Sequence, residues 1–313
     1  MQLNVSSNFT SVAATQPLVR SLSVILVIII GTTGHVLVLL AIYRYGHLRS
    51  FPNLIISNLS VSDLLFCIIV VPLNKIHILQ GRAFPNGTTC KMAGATNAFF
   101  SLASTYTLAF ISVERFLATN YPLKHRYKFD LKLVRIGLVC IWCWSTFFSA
   151  LPFAISRYVY VPSFGNCTVD WSYHVSTALV YFVVGYAFPL VILIYCNAHV
   201  LRAIRKAQRA RRIHLTSFRK PANATCRFQR EIQVSMMTFP VVVTFILCWT
   251  PYTIVAICLA VGNCTLSKEF MSAAPVLVAA SSGFNPIIYG VMNKNFRKVF
   301  WDILCCERLG TRN

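Results

Sequence analysis

The chain alternates long apolar runs with short polar or basic segments. Seven of the runs are long enough to cross about 30 Å of hydrocarbon at about 1.5 Å per helical residue. They lie near residues 21–43, 54–79, 90–118, 134–156, 173–200, 232–261 and 269–291, and polar residues inside the second and third blur their ends. The pattern predicts an all-α membrane protein with an outer N-terminal segment (1–20), a seven-transmembrane helix bundle (21–291), and a short amphipathic eighth helix with a tail (292–313). The first 20 residues are polar and the first run has no small-residue cleavage site, so that run is expected to be a signal anchor.

Composition agrees with this pattern. The 313 residues are 56% hydrophobic and 12% charged, against about 25% charged in soluble domains, which excludes an ordinary soluble enzyme. A net charge of +21 would suggest nucleic acid in a soluble protein, but 23 of the 29 Lys and Arg fall beside loops on one side of the predicted bundle. Basic loops resist translocation and meet anionic lipid. They therefore place the N-terminus outside, with anionic membrane lipid and not nucleic acid as the partner of these cations. The sequons at Asn4, Asn8, Asn86, Asn166 and Asn263 all fall on the side assigned as outside, whereas Asn58 lies within a span and Asn223 in a basic inner loop.

Most of the 12 cysteines, including Cys67, Cys140, Cys196 and Cys258, sit in apolar runs and read as small buried hydrophobes. Cys90 and Cys167 lie at the outer face, where they would pair with each other unless Cys264 competes. Cys305 and Cys306, beyond the seventh run, read as a palmitoylated pair or as free thiols.

Asp63 is the only carboxylate deep in a span, at the depth of Ser104, Ser281, Ser282 and Asn285. Such a group holds a small cation, here sodium, or serves as a buried hydrogen-bonding hub. Pro251 and Pro286 interrupt the sixth and seventh runs beside Trp249, Tyr252 and Tyr289, and are expected to act as kinks. Arg115, in Glu114-Arg115-Phe116, needs an acceptor at the inner face. Glu231 on the sixth run supplies one unless Arg115 snorkels to headgroups.

Assembled in order, these residues resemble the rhodopsin-like (class A) G protein-coupled receptors. The motifs are S-N-L-S-V-S-D ending at Asp63, Cys90, E-R-F at 114–116, Trp142 with Pro152, Pro189, C-W-T-P at 248–251, N-P-I-I-Y at 285–289 and N-K-N-F-R-K at 293–298. The resemblance implies a Cys90–Cys167 disulfide and an allosteric sodium and water site at Asp63, Ser104, Ser282 and Asn285. It also implies a ligand pocket floored by Trp249, with Pro189 and Phe245 forming a connector beneath it. Activation would release Arg115 from Glu231 and swing Tyr289 inward. The implied partners are a heterotrimeric G protein, arrestin and receptor kinases, at the plasma membrane.

Three departures from the family pattern stand out. His35 replaces an Asn of the first span, Asn197 replaces a Tyr of the fifth although Tyr195 is near, and Phe116 replaces the Tyr of the usual triad. The string C-T-V-D-W at 167–171 is similar to one in opsins, but Ala279 stands at the retinal-lysine position and residues 270–291 contain no lysine, so no retinal cofactor is expected. Asn97 replaces the Asp that aminergic receptors use, and the I-I-Y-G-x-x-N-x-N-F-R-K ending resembles melatonin receptors. Asn97, Ser101, Tyr181, Trp249 and Tyr252 would line a pocket for a small molecule, lipid or short peptide. A ligand-independent receptor is the alternative. A transporter or channel would show inverted repeats or a path of intramembrane charges, and an enzyme would show paired catalytic groups; neither pattern is visible.

Overall fold

The computed structural model describes residues 5–79, 87–214, 222–262 and 265–305. Seven long helices form a bundle: α1 (Val5–Arg44), α2 (Phe51–Leu65, continued by a π turn Phe66–Val70 and by Val71–Leu79), α3 (Thr88–Asn120), α4 (Leu131–Ala150), α5 (Val175–Phe182, a π turn Val183–Ala187, then Phe188–His214), α6 (Ala222–Val261) and α7 (Lys268–Met292). The helices run past the apolar stretches that predict them. The backbone of α1 extends into the polar segment 1–20, and α5 and α6 extend into the basic loop between them, because backbone hydrogen bonding continues where apolar side chains stop.

Among the described residues, six helices are long and apolar enough to cross a membrane, and α3 is not among them. The hydropathy expectation of seven apolar spans is corrected there. The α3 helix has 33 residues but occupies the middle of the bundle, where Thr105, Thr107, Ser112, Glu114 and Arg115 are buried against other helices. A central helix needs no lipid-facing stripe, so its sequence is free to be polar.

Close packing fixes the helices. A Cβ on Gly34 of α1 would lie 2.7 Å from the Pro286 Cβ of α7. Asn58 of α2 donates to Thr107 of α3 (3.0 Å) and accepts from the Trp142 indole of α4 (2.9 Å). Asp130 caps α4 by accepting from the Leu133 amide at 2.8 Å.

The chain also forms a β-hairpin, β1 (Tyr158–Val161) with β2 (Asn166–Val169), in which Tyr158 pairs with Val169 and Val161 with Asn166. Nothing in the apolar pattern predicts it. The Cys90–Cys167 disulfide ties β2 to the start of α3, with Cα atoms 5.4 Å apart. This end of the bundle is hereafter the outer end. At the other end the amphipathic helix α8 (Lys294–Leu304) turns off α7, capped by the Asn293 side chain, which accepts from the Asn295 and Phe296 amides. It buries Phe296 and Val299 and exposes Trp301 and Leu304.

Candidate ligand cavity and switch residues

Beneath the hairpin lies a cavity of about 100 Å³ to which Asn97, Ser101, Tyr181, Trp249 and Tyr252 all contribute. The structure therefore brings together, in one place, the five residues that the sequence points to. The hairpin also supplies wall residues that the sequence does not assign to a pocket, Asn166 and Thr168, and Trp171 follows just beyond it. Tyr252 is held by Thr168 (hydroxyl to hydroxyl 2.8 Å) and stacks on Phe164 at 5.0 Å. The Tyr181 hydroxyl donates to the Phe148 carbonyl, and its ring meets Trp171 edge-on at 5.8 Å. Among the described residues no charged side chain lines this cavity, so its walls suit a largely apolar, aromatic body with a few hydrogen bonds.

Trp249 also lines a second cavity of about 20 Å³ below, together with Asp63, Ser101, Ser104, Ser281 and Asn285. Asp63 is fully buried. Its Oδ1 accepts from Ser104 (2.6 Å) and Ser282 (3.2 Å), and its Oδ2 accepts from Asn285 (2.8 Å). A carboxylate, hydroxyls and an amide oxygen around a water-sized space are hard donors that fit a small monovalent cation. On the far side of the carboxylate stands His35, its Nε2 3.7 Å from Asp63 Oδ2 and 2.9 Å from the Ser282 carbonyl oxygen. Nε2 is thus the protonated nitrogen that donates to Ser282, while Nδ1 is buried without a hydrogen-bond partner. His35 is not among the residues that line that cavity.

The connector residues run down from Trp249. Phe245 is buried, stacks on Trp249 at 5.7 Å and meets Tyr186 at 6.0 Å, and Pro189 is buried on α5. Pro251 and Pro286 lie inside α6 and α7, as do Pro240 and Pro275. Arg115 and Tyr289 face one inner cavity of about 20 Å³, and the Tyr289 ring packs 6.2 Å from Phe296 of α8.

At the inner end Arg115 is gripped by its neighbour Glu114, whose other oxygen lies 3.0 Å from His125 Nε2. The side chain of Glu231 lies outside the described residues. Phe116 packs on Tyr121, Tyr195 and His199. Tyr195 is 55% exposed, so it does not take over the inward role of the missing fifth-span Tyr. Asn197 faces inward instead: it donates to Ser112 of α3 (3.1 Å) and accepts from Thr238 of α6 (2.6 Å), joining three helices.

Two expectations at the outer face need correction. Asn166 is only 4% exposed and lies within β2 facing the cavities, which leaves no room for a glycan on its side chain. Cys258 is not a free core thiol but takes part in a disulfide. Asn4, Asn86, Asn263, Cys306 and the side chain of Asn8 lie outside the described residues. Cys305 is exposed at the end of α8.

A seven-helix bundle with an aromatic cavity at its disulfide end and a gripped arginine at the other defines a multi-pass membrane receptor. The chain belongs to the rhodopsin family of seven-transmembrane receptors: the profile described as 7 transmembrane receptor (rhodopsin family) matches residues 34–289. This is a family of receptors, not enzymes. The chain is 26% identical to a rhodopsin of Sepia officinalis over 89% of its own length and 63% of that protein's. It is 28% identical to a Gq-coupled rhodopsin of Mizuhopecten yessoensis, over 89% and 59%, and so spans about three fifths of these opsins. It is 30% identical to galanin receptor 2b of Danio rerio, over 90% of its own length and 73% of that receptor's. The crystal structure of squid rhodopsin shares the fold, with a TM-score of 0.80 at 23% identity, over 91% of this chain and 84% of that one.

Proposed function

We propose that the chain is a plasma-membrane receptor, N-terminus outside, which passes the binding of a small extracellular ligand to a heterotrimeric G protein. The observation that carries this reading is the position of Trp249. It lines the outer cavity, lines the Asp63 cavity, and stacks on Phe245. A ligand that moves Trp249 therefore changes contacts with the core of α3 and α7 and shifts α6, whose inner half bears Thr238. A ligand shifts such an equilibrium only by its differential affinity for the two arrangements.

Receptor signalling is supported by membership of the family and by relatives as different as a Gq-coupled rhodopsin and galanin receptors. Arrestin and receptor kinases belong to the same reading. Sodium at Asp63 would supply a positive charge that favours the ordered cluster of Ser104, Ser282 and Asn285. Covalent retinal has no place in it, because the retinal-lysine position is Ala279.

The test is a G protein activation panel in cells with wild type, Arg115→Ala and Glu231→Ala. Basal or ligand-driven coupling that falls with the first change and rises with the second is expected. Absence of coupling to every G protein would overturn the reading.

A further inference from the structure

Two side-chain amides stand on the wall between the outer cavity and a smaller space of about 20 Å³ beside it: Asn97 of α3 and Asn166 of β2 line both. Asn166 is 4% exposed, and its Oδ1 is buried with no hydrogen-bond partner. Among the described residues nothing hydrogen-bonds the Asn97 side chain either. A buried polar atom left unmatched is costly unless a ligand satisfies it. Turning a carboxamide over exchanges its oxygen and nitrogen but leaves the group with both an acceptor and N–H donors. Either way round, the two amides call for a partner that both donates and accepts. Their neighbours Thr168 and Lys75 are already engaged. Thr168 bonds the Tyr252 hydroxyl at 2.8 Å, and Lys75, which lines the smaller space, donates to the carbonyls of Phe164 (3.3 Å) and Gly165 (3.1 Å) at the hairpin turn.

We propose that the ligand is a small, neutral aromatic carboxamide, whose amide donates to and accepts from Asn166 and Asn97 and whose ring lies among Trp171, Tyr181 and Tyr252. This deepens the receptor reading and rests on it. Neutrality follows from the walls. Among the described residues no charged side chain lines the outer cavity, so an ammonium or a carboxylate would leave water there without a counter-charge, at a cost that a neutral amide avoids. The amide follows from Asn166, because an ester of the same shape offers no N–H and leaves a buried acceptor unmatched.

The test uses four probes of similar shape, naphthaleneacetamide, its methyl ester counterpart, naphthaleneacetate and naphthylethylamine, against the full chain purified in lipid nanodiscs, with thermal stabilisation across a concentration series as the readout. Naphthalene carries no hydrogen-bonding group of its own, so the side group alone decides the order. The amide is expected to bind about tenfold or more tightly than each of the other three. Asn166→Leu and Asn97→Leu, which remove an amide at similar size, should each bring the amide down toward the ester; the wild-type order stands even if a variant fails to fold. The proposal is overturned if none of the probes binds, if the ester, acid or amine binds as well as the amide, or if the preference survives in both variants. Amide preference without any G protein activation would remove the receptor reading and leave the amide site. G protein activation without amide preference would do the reverse.

Discussion

The His35 imidazole of α1 donates to the Ser282 carbonyl of α7 at 2.9 Å while standing 3.7 Å from the Asp63 carboxylate of α2. One side chain thereby ties three helices at a depth where water offers no substitute. His35→Ala removes the donor and leaves a cavity, so a loss of about 1–3 kcal/mol is expected. Thermal unfolding in detergent measures it, and an unchanged midpoint would refute the tie.

Gly34, one residue earlier, lets α1 approach Pro286. An alanine methyl would sit 2.7 Å from the proline Cβ and 2.9 Å from its Cγ, and neither belongs to a flexible chain end. Gly34→Ala is therefore expected to cost about 1–3 kcal/mol through overpacking. The readout is the fraction of folded receptor recovered from cells, and Gly46→Ala, which meets nothing within 4 Å, serves as the control.

Asn197 joins α3, α5 and α6 through Ser112 and Thr238. In Asn197→Ala both bonds go, and because they bridge helices whose inner ends must part in the proposed mechanism, the closed arrangement loses support. Basal G protein activation should rise by up to about tenfold, the equivalent of about one net hydrogen bond. A fall, with surface expression unchanged, would show that Asn197 supports the open arrangement instead.

Outside the membrane, Asp170 accepts from Arg157 at 2.8 Å and from the Ser172 hydroxyl at 2.7 Å. Burial opposes its ionisation, but the hydrogen bonds from Ser172 and Arg157 and the guanidinium charge outweigh burial and hold the carboxyl below its usual value. A depressed folded pKa contributes stability above the unfolded value of about 4 and loses it as pH falls through the folded value. The difference in unfolding temperature between wild type and Asp170→Asn should therefore be present at neutral pH and fade below about pH 4. A constant difference across that range would contradict this.

The span order and the Asp63 cluster are legible in the sequence because each rests on a signal of its own, hydropathy and a lone intramembrane carboxylate, whereas the five pocket residues are legible only through the positions that the family resemblance implies. The hairpin is not legible, since Tyr158–Val161 and Asn166–Val169 are four residues each and too short to carry a period. Asn166 misleads for the same reason: its sequon is intact, but pairing in β2 turns the side chain toward the cavities.

The π turn Phe66–Val70 of α2 determines which way Lys75 faces. Twelve residues separate Asp63 from Lys75, and at about 100° per residue a straight α-helix would leave the two faces about 120° apart. The wider turn absorbs one residue and brings Lys75 back to within about 20° of the Asp63 face. Deleting one residue from this turn would remove the residue it absorbs and leave a regular α-helix with Lys75 still within about 20° of the Asp63 face, whereas inserting one would rotate the outer third of α2 by about 100°. A codon lost there would therefore leave the outer end of α2 facing as it does, whereas a codon gained would turn every side chain beyond it while the aromatic chamber keeps its residues.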